Sequence, residues 1–340
     1  MTNLKTLSVL FTILCLTLVY SKPSFAQVCQ GDLTLSTQAE VDAVACTQVL
    51  GNLTISGGDI TNLDGLSSLT RIRDQLLIVN NPNLKTLDGL PALDSVGAGI
   101  EISNNPQLET INGFSSLTTV HNTLLISNNP KLTSFDGFNN VERISSFFDS
   151  QVIIDNNVLL SNIDGLSSLE ALSGKSTYVV ISNNPALLNV NGLSWLRALN
   201  GTATGLSIVN NALLKNLNGL SSLGVFGMDL IGSIEILDNA ALESIDGLSN
   251  IGAQFDANRS SRITIKRNPL LSQCTGLYSL FVRMGWEVVT ELINIGNLQI
   301  SENGSGCTVA DILTSGPQTL SMVDLYDIPT GSRLFAFYED

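Results

Sequence analysis

Apolar residues recur along this chain at fixed offsets inside a short repeating unit. One unit places them at Leu76, Ile78, Leu84, Leu87, Leu90, Leu93 and Val96. The next supplies Ile100, Ile102, Leu108, Ile111, Phe114, Leu117 and Val120, and the one after runs from Leu124 and Ile126 to Val141 and Ile144. The start of each unit, as in Leu76-Leu77-Ile78-Val79, alternates with period two and is β-branched, which predicts a strand. The three-residue steps that follow are not a strand pattern. They suit a chain that turns corners and points one side chain inward per short segment. The phrase Ile-x-Asn-Asn-Pro-x-Leu-x-x-Leu-Asp-Gly-Leu spans Ile78–Leu90 and returns at Ile102, Ile126, Ile154, Ile181, Ile208 and Ile236. A shorter copy begins at Ile55 and a decayed one at Ile265. The anchoring glycines, Gly65 to Gly247, are spaced by 24, 24, 24, 28, 27, 27 and 28 residues. Such a period means a solenoid whose coils stack to share one elongated core. The predicted fold is all-β, a parallel β-helix-like solenoid with strands about 4.8 Å apart.

The corners carry their own chemistry. Asn81, Asn105, Asn129, Asn157, Asn184, Asn211, Asn239 and Asn268 fall at one position of the repeat, where stacked amides would satisfy the backbone groups a tight corner leaves unpaired. A following proline stops the strand. The next corner is Asp-Gly (Asp64, Asp88, Asp136, Asp164, Asp246) or Asn-Gly at 112, 191 and 218. Its glycine is expected to take a positive φ.

Two surfaces stand out as candidate ligand sites. Positions alternating with the inward residues should face solvent, yet Leu77, Val79, Leu125, Ile153, Val180, Val209 and Leu237 are apolar. A contiguous apolar surface marks a partner site, whereas β-propensity or a covering loop would account for it equally. The second surface follows from repeat length. The corner before each strand is His121–Thr123 in an early coil but grows to Ser145–Gln151, Ser173–Tyr178, Asn200–Gly205 and Gly227–Ser233 later. Insertions at one corner map to one edge, and Phe147, Phe148, Lys175, Tyr178 and Met228 are expected in loops there.

The chain opens with Lys5, an apolar run from Leu7 to Tyr20 and Ser24-Phe25-Ala26, the pattern of a secretory signal peptide over residues 1–26. No transmembrane segment is expected after its cleavage. Removing it leaves Cys29, Cys46, Cys274 and Cys307, one pair at each end of the repeats. Ends of an extended solenoid are far apart, so Cys29–Cys46 and Cys274–Cys307 are the expected bridges, capping coils that lack a neighbour. The expected layout is an N-terminal cap over 27–54, solenoid over 55–271, a C-terminal cap over 272–313 and a tail over 314–340. Acidic residues outnumber basic ones 30 to 16, a net charge of −14, which disfavours nucleic acid and anionic membranes as partners.

Signatures of catalysis are missing. His121 is the single histidine, and no P-loop, G-x-S-x-G or H-E-x-x-H occurs. Glu101, Asp155 and Glu235 sit on outward strand positions two and three coils apart, about 10–15 Å by strand spacing, wider than most paired carboxylates. The Asp-Gly ladder suits a turn role as well as a calcium role, since asparagine replaces aspartate in three coils. No metal, catalytic residue or cofactor is assigned. Sequons occur at Asn52, Asn200, Asn258 and Asn303, with Asn52 at the crowded start of the first strand.

The segment from Cys46 through Gly51-Asn52-Leu53-Thr54-Ile55, followed by Leu63-Asp64-Gly65-Leu66, resembles the beginning of a receptor L domain. The resemblance extends from about Cys29 to Cys307. It implies a right-handed solenoid related to leucine-rich repeats, and binding rather than chemistry. A standard leucine-rich repeat has one residue fewer than Ile78-x-x-Asn81-x-x-Leu84, so its horseshoe and helical convex side are not carried over, nor is receptor signalling. The tail segment Leu325–Leu334 is similar to the opening of a sorting domain for type IX secretion, or forms a short terminal strand. The sequence reading is a secreted or cell-surface, non-catalytic recognition or adhesion module for a protein or glycan. The alternatives are a passive structural spacer and a carbohydrate-active β-helix enzyme.

Overall fold

The computed structural model describes residues 27–255 and 261–314. The signal peptide expected at 1–26, the sorting-like segment Leu325–Leu334 and the sequon at Asn258 lie outside the described residues.

Each coil crosses two parallel sheets. One sheet has short strands, among them Arg71–Ile72, Ser95–Val96, Thr119–His121, Arg143–Ser145 and Ala171–Ser173. The other has longer ones, among them Gln75–Val79, Gly99–Ser103, Thr123–Ser127, Asp149–Asp155, Ser176–Ser182 and Ala203–Val209. Register advances by one coil per strand, so Leu76, Ile100, Leu124, Val152, Val179, Leu206 and Ile234 form one row. The third side carries isolated bridges such as Thr86 to Thr110 to Ser134, and 3-10 turns such as Asp136–Phe138 and Asp164–Leu166. The result is a parallel β-solenoid of about eight turns. No α-helix lies on the described sides of these coils between Leu53 and Phe255, so the leucine-rich-repeat horseshoe is replaced by a polygonal coil.

The inward and outward assignment of the strands holds. Along Gln75–Val79, Leu76 and Ile78 are buried while Leu77 and Val79 are half-buried. The three-residue steps Leu84, Leu87, Leu90 and Leu93 all reach the core. One continuous cluster runs from Leu35 to Ile312. Each such aliphatic contributes about 1.5–3 kcal/mol by leaving water.

The asparagine corner works as a hydrogen-bond ladder. Each rung donates its backbone N–H to the Oδ1 of the next at 3.0–3.2 Å, from Asn81 through Asn268. The Nδ2 of Asn81 also bonds the Ile55 and Val79 carbonyls, and later rungs repeat this. Asn303 is a ninth rung, accepting from Asn268 and donating to the Ile265 carbonyl. Ile300-Ser301-Glu302-Asn303 is therefore one more copy of Ile-x-x-Asn, and the Asn303 side chain serves the ladder. At the other end Asn52 is engaged by Asp32 and Gln75.

Positive φ sits elsewhere than expected. It falls on the residue before each rung: Asn80, Asn104, Asn128, Asn156, Asn183 and Asn210 have φ between 55° and 57°, and Asp238, Arg267 and Glu302 follow. Asparagine enters this left-handed region more readily than most side chains. Gly137 and the other Asp-Gly glycines are not among the positive-φ residues. They are needed for close approach instead. A Cβ on Gly137 would stand 2.8 Å from the Ile111 carbonyl oxygen and 2.9 Å from the Asn112 carbonyl carbon of the preceding coil.

Both bridges form as expected, with Cα–Cα distances of 5.6 Å for Cys29–Cys46 and 5.5 Å for Cys274–Cys307. At the first end the helix Gln38–Asp42 closes the core with a Thr37/Glu40 capping box and buried Val41. At the last, helices Gly276–Met284 and Trp286–Asn294 bury Leu277, Leu280, Phe281, Val289 and Leu292.

Candidate functional site

The repeat lengthens between Thr123 and Gln151. His121 pairs with Ser145 in the short-stranded sheet, and Thr123 pairs with Gln151 in the other. One residue, Asn122, joins the two sheets in the earlier coil, whereas Ser146–Ser150 joins them in the later one. Asn122 makes its turn at φ 61°. The longer link cannot turn so tightly, so it extends the strand backwards to Asp149 and projects Phe147 and Phe148 beyond the shorter coils.

On one side this projection is supported. Ser176 N–H donates to the Phe148 carbonyl at 3.0 Å and Ser146 N–H to the Ser173 carbonyl at 2.9 Å. Gly174 permits the approach, since a Cβ there would lie 2.8 Å from the Phe148 oxygen. Internally, Ser146 Oγ donates to the Asp149 carbonyl at 2.6 Å and accepts from Phe148 N–H at 3.1 Å. On the other side lie only the short coils. The chain therefore makes a ledge over them, with a groove of about 380 Å³ beneath. Leu77, Glu101, Leu125 and Phe148 line it, together with Gln75, Asn122, Thr123, Asp149 and Gln151. Phe147 and Phe148 are 87% and 67% exposed, with ring centroids 5.1 Å apart in an edge arrangement.

The candidate residues separate into three groups. Leu77, Leu125 and Phe148 share the groove, with Phe147 beside it. Leu125, Ile153 and Val180 form an unbroken outer row over three adjacent strands. Val79, Val209 and Leu237 belong to a second outer row, where Ser103, Ser127, Asp155 and Ser182 separate Val79 from the other two. The expected apolar stripe is thus two broken rows.

The corner loops expected in the later coils are largely strand. Ser176–Ser182 and Ala203–Val209 pair in register along their whole length, because each long corner has an equally long neighbour to pair with. Tyr178 consequently lies on the sheet face, its ring against Gly205, rather than in a loop. Lys175 stays exposed at the bend before that strand, and Met228 lies among residues whose side chains are not described. Inside the same corners runs a buried hydroxyl row. Ser150 Oγ bonds the Ser173 carbonyl at 2.7 Å, and Thr177 Oγ1 donates to Thr204 Oγ1 at 3.4 Å. Their inward placement recurs in three successive coils, a signal that reading only the apolar positions passes over.

The outward carboxylates do not gather. Glu101 is held by Ser103, Asp155 by Ser182 and Asn183, and Glu235 by Ser207. His121 ends a short strand, its Nδ1 3.1 Å from the Ser145 carbonyl. Among the described residues no group of three or more His, Cys, Asp or Glu is placed to hold a metal ion, and no helix is long and apolar enough to cross a membrane.

The receptor L-domain family model matches residues 45–99 and 97–199. No curated protein matches the chain. The matched stretch contains every residue of the groove, the ledge and the row Leu125, Ile153 and Val180. Receptor L domains are modules of a ligand-binding type, and the paired cysteines suit an extracellular setting.

Proposed function

We propose that the chain is a secreted or cell-surface recognition module that binds a protein or glycan and performs no chemistry on it. The binding surface is the groove under the Phe147–Phe148 ledge, continued by Leu125, Ile153 and Val180 on the sheet face. One observation carries this reading: Phe148 stands 67% exposed above a groove instead of packing into the core. Adjacent exposed aromatics on a rigid scaffold are anchors, because they bring large contact area at little entropic cost. The match of residues 45–199 to the receptor L-domain family model supports it, as do the disulfide caps and the leader-like sequence at 1–26. The row of Leu125, Ile153 and Val180 favours binding over a passive spacer, for which polar outward positions would serve as well.

The test is a screen of the purified chain against arrays of glycans and of surface proteins, repeated with Phe148→Ala and Leu125→Glu. A partner retained by the wild type and lost by both variants supports the reading. A partner bound equally by all three places the site elsewhere.

A further inference from the structure

The groove has a chemical bias beyond its shape. Its ionisable lining residues are Glu101 and Asp149, and no lysine, arginine or histidine lines it. Ser103 Oγ donates to Glu101 Oε1 at 2.6 Å, which fixes the carboxylate on a half-buried strand position. Among the described residues neither the second Glu101 oxygen nor the Asp149 carboxylate has a hydrogen-bond partner. Covering them with a neutral ligand would strip water from two carboxylates without a countercharge, which is costly. Leu77, Leu125 and Phe148 complete the walls with apolar and aromatic surface. Such a set suits a cation on an aliphatic stem: the stem packs on leucine, the charge meets the carboxylates, and an aromatic face adds cation–π attraction. The net charge of −14 draws cationic partners toward the surface generally.

We propose that the groove receives an arginine or lysine side chain presented by a protein partner. This rests on the site proposed above and narrows its ligand class. A protein is favoured over a free amine because the groove continues into the row Leu125, Ile153 and Val180, about 10 Å of apolar surface over three strands. A free amine has nothing to place there, whereas a peptide places the apolar neighbours of its basic residue.

The experiment is calorimetric titration of the full chain with acetyl-Leu-Arg-Leu-amide, with the same peptide carrying citrulline for arginine, with spermidine, and with cellohexaose. Citrulline keeps the shape and removes the charge. The arginine peptide should bind at least about tenfold more tightly than the citrulline peptide, a difference of about 1.4 kcal/mol. That preference should vanish in Glu101→Gln, shrink in Asp149→Asn and fall as salt is raised. Both variants are near-isosteric, and an unchanged melting curve establishes that they fold. Equal binding of the two peptides, or an arginine preference that survives both variants, overturns the inference. Spermidine binding as tightly as the peptide overturns the protein source. Cellohexaose bound in a Phe148-dependent manner overturns the cationic class while leaving the proposed site standing. If no probe binds and the partner found by the array screen is indifferent to Phe148→Ala, the site itself is wrong.

Discussion

Asn129 donates to Asn157 Oδ1 through both its backbone N–H, at 3.1 Å, and its side-chain Nδ2, at 3.3 Å. These two residues are 28 apart, whereas the preceding rungs are 24 apart. The ladder therefore keeps its spacing straight through the coil that lengthens. The extra residues have to be accommodated away from the asparagine corner, and they emerge between Ser145 and Gln151 as the ledge. A rigid corner on one side of the coil thus converts a change of repeat length into a surface feature on another.

Removing a rung should be costly. In Asn129→Ala the Asn105 N–H and Nδ2 lose their acceptor, and the Ile102 and Ser127 carbonyls lose a donor, all in buried surroundings. Unsatisfied buried groups cost about 1–3 kcal/mol each, partly relieved by relaxation, so we expect a loss of roughly 3 kcal/mol in urea unfolding. A loss below about 1 kcal/mol would mean that water replaces the amide in the corner.

The glycine of the Asp-Gly corner offers a test between two physical causes. If positive φ were the reason for Gly137, asparagine would be tolerated better than alanine. With close approach to Ile111 and Asn112 as the reason, any Cβ clashes. Gly137→Ala and Gly137→Asn should both destabilise by about 1–3 kcal/mol, with asparagine no better than alanine. A clear advantage for asparagine would return the glycine to a conformational role.

The terminal disulfides should act locally. Replacing Cys274 and Cys307 together with serine should cost about 2–4 kcal/mol. Each coil touches only its neighbours, so amide exchange should accelerate first in Leu298–Ser301 and leave Gln75–Val79 unchanged. Simultaneous loss of protection in both strands would show that the solenoid unfolds as one unit.

Arg267 forms a two-point ion pair with Asp238, Nε to Oδ1 at 2.6 Å and Nη2 to Oδ2 at 2.7 Å. The hydrogen bonds from Arg267 hold the Asp238 carboxyl below its usual value, and the guanidinium charge adds to that. A depressed carboxylate stabilises the fold above its unfolded pKa, and that contribution disappears as pH falls through the folded value. A carboxyl NMR titration should place the Asp238 midpoint lower in the wild type than in Arg267→Ala. Identical midpoints would show that solvent screens the pair completely.

Much of this architecture is legible from residue spacing because every coil repeats the same constraint. Leu76, Ile78 and Leu84 declare the inward side, and Asn81 declares the corner, each confirmed by its copies. Legibility fails where the cause lies between coils. Asp136-Gly137 looks like a corner whose glycine takes a positive φ, yet that glycine answers to the carbonyl of Ile111 in the coil before. Ser173–Tyr178 looks like a loop because insertions usually are, but the long coil before it and the one after it have matching extra residues, so they pair and put Tyr178 on the sheet. The groove is illegible for the same reason. Leu77, Glu101, Leu125 and Phe148 lie in four different coils, and only the mismatch between Asn122 and Ser146–Ser150 brings them under one roof.

The central claim is that the step in coil length creates the ligand site. Hydrogen–deuterium exchange of the chain with and without the partner recovered from the array screen tests it most directly. The account predicts added protection in Gly99–Ser103, Thr123–Ser127 and the Ser146–Asp149 ledge, with no change in the 3-10 turns or in the later strands Val225–Leu237 and Arg262–Lys266. Protection confined to those later strands or turns, with the ledge unchanged, would contradict it.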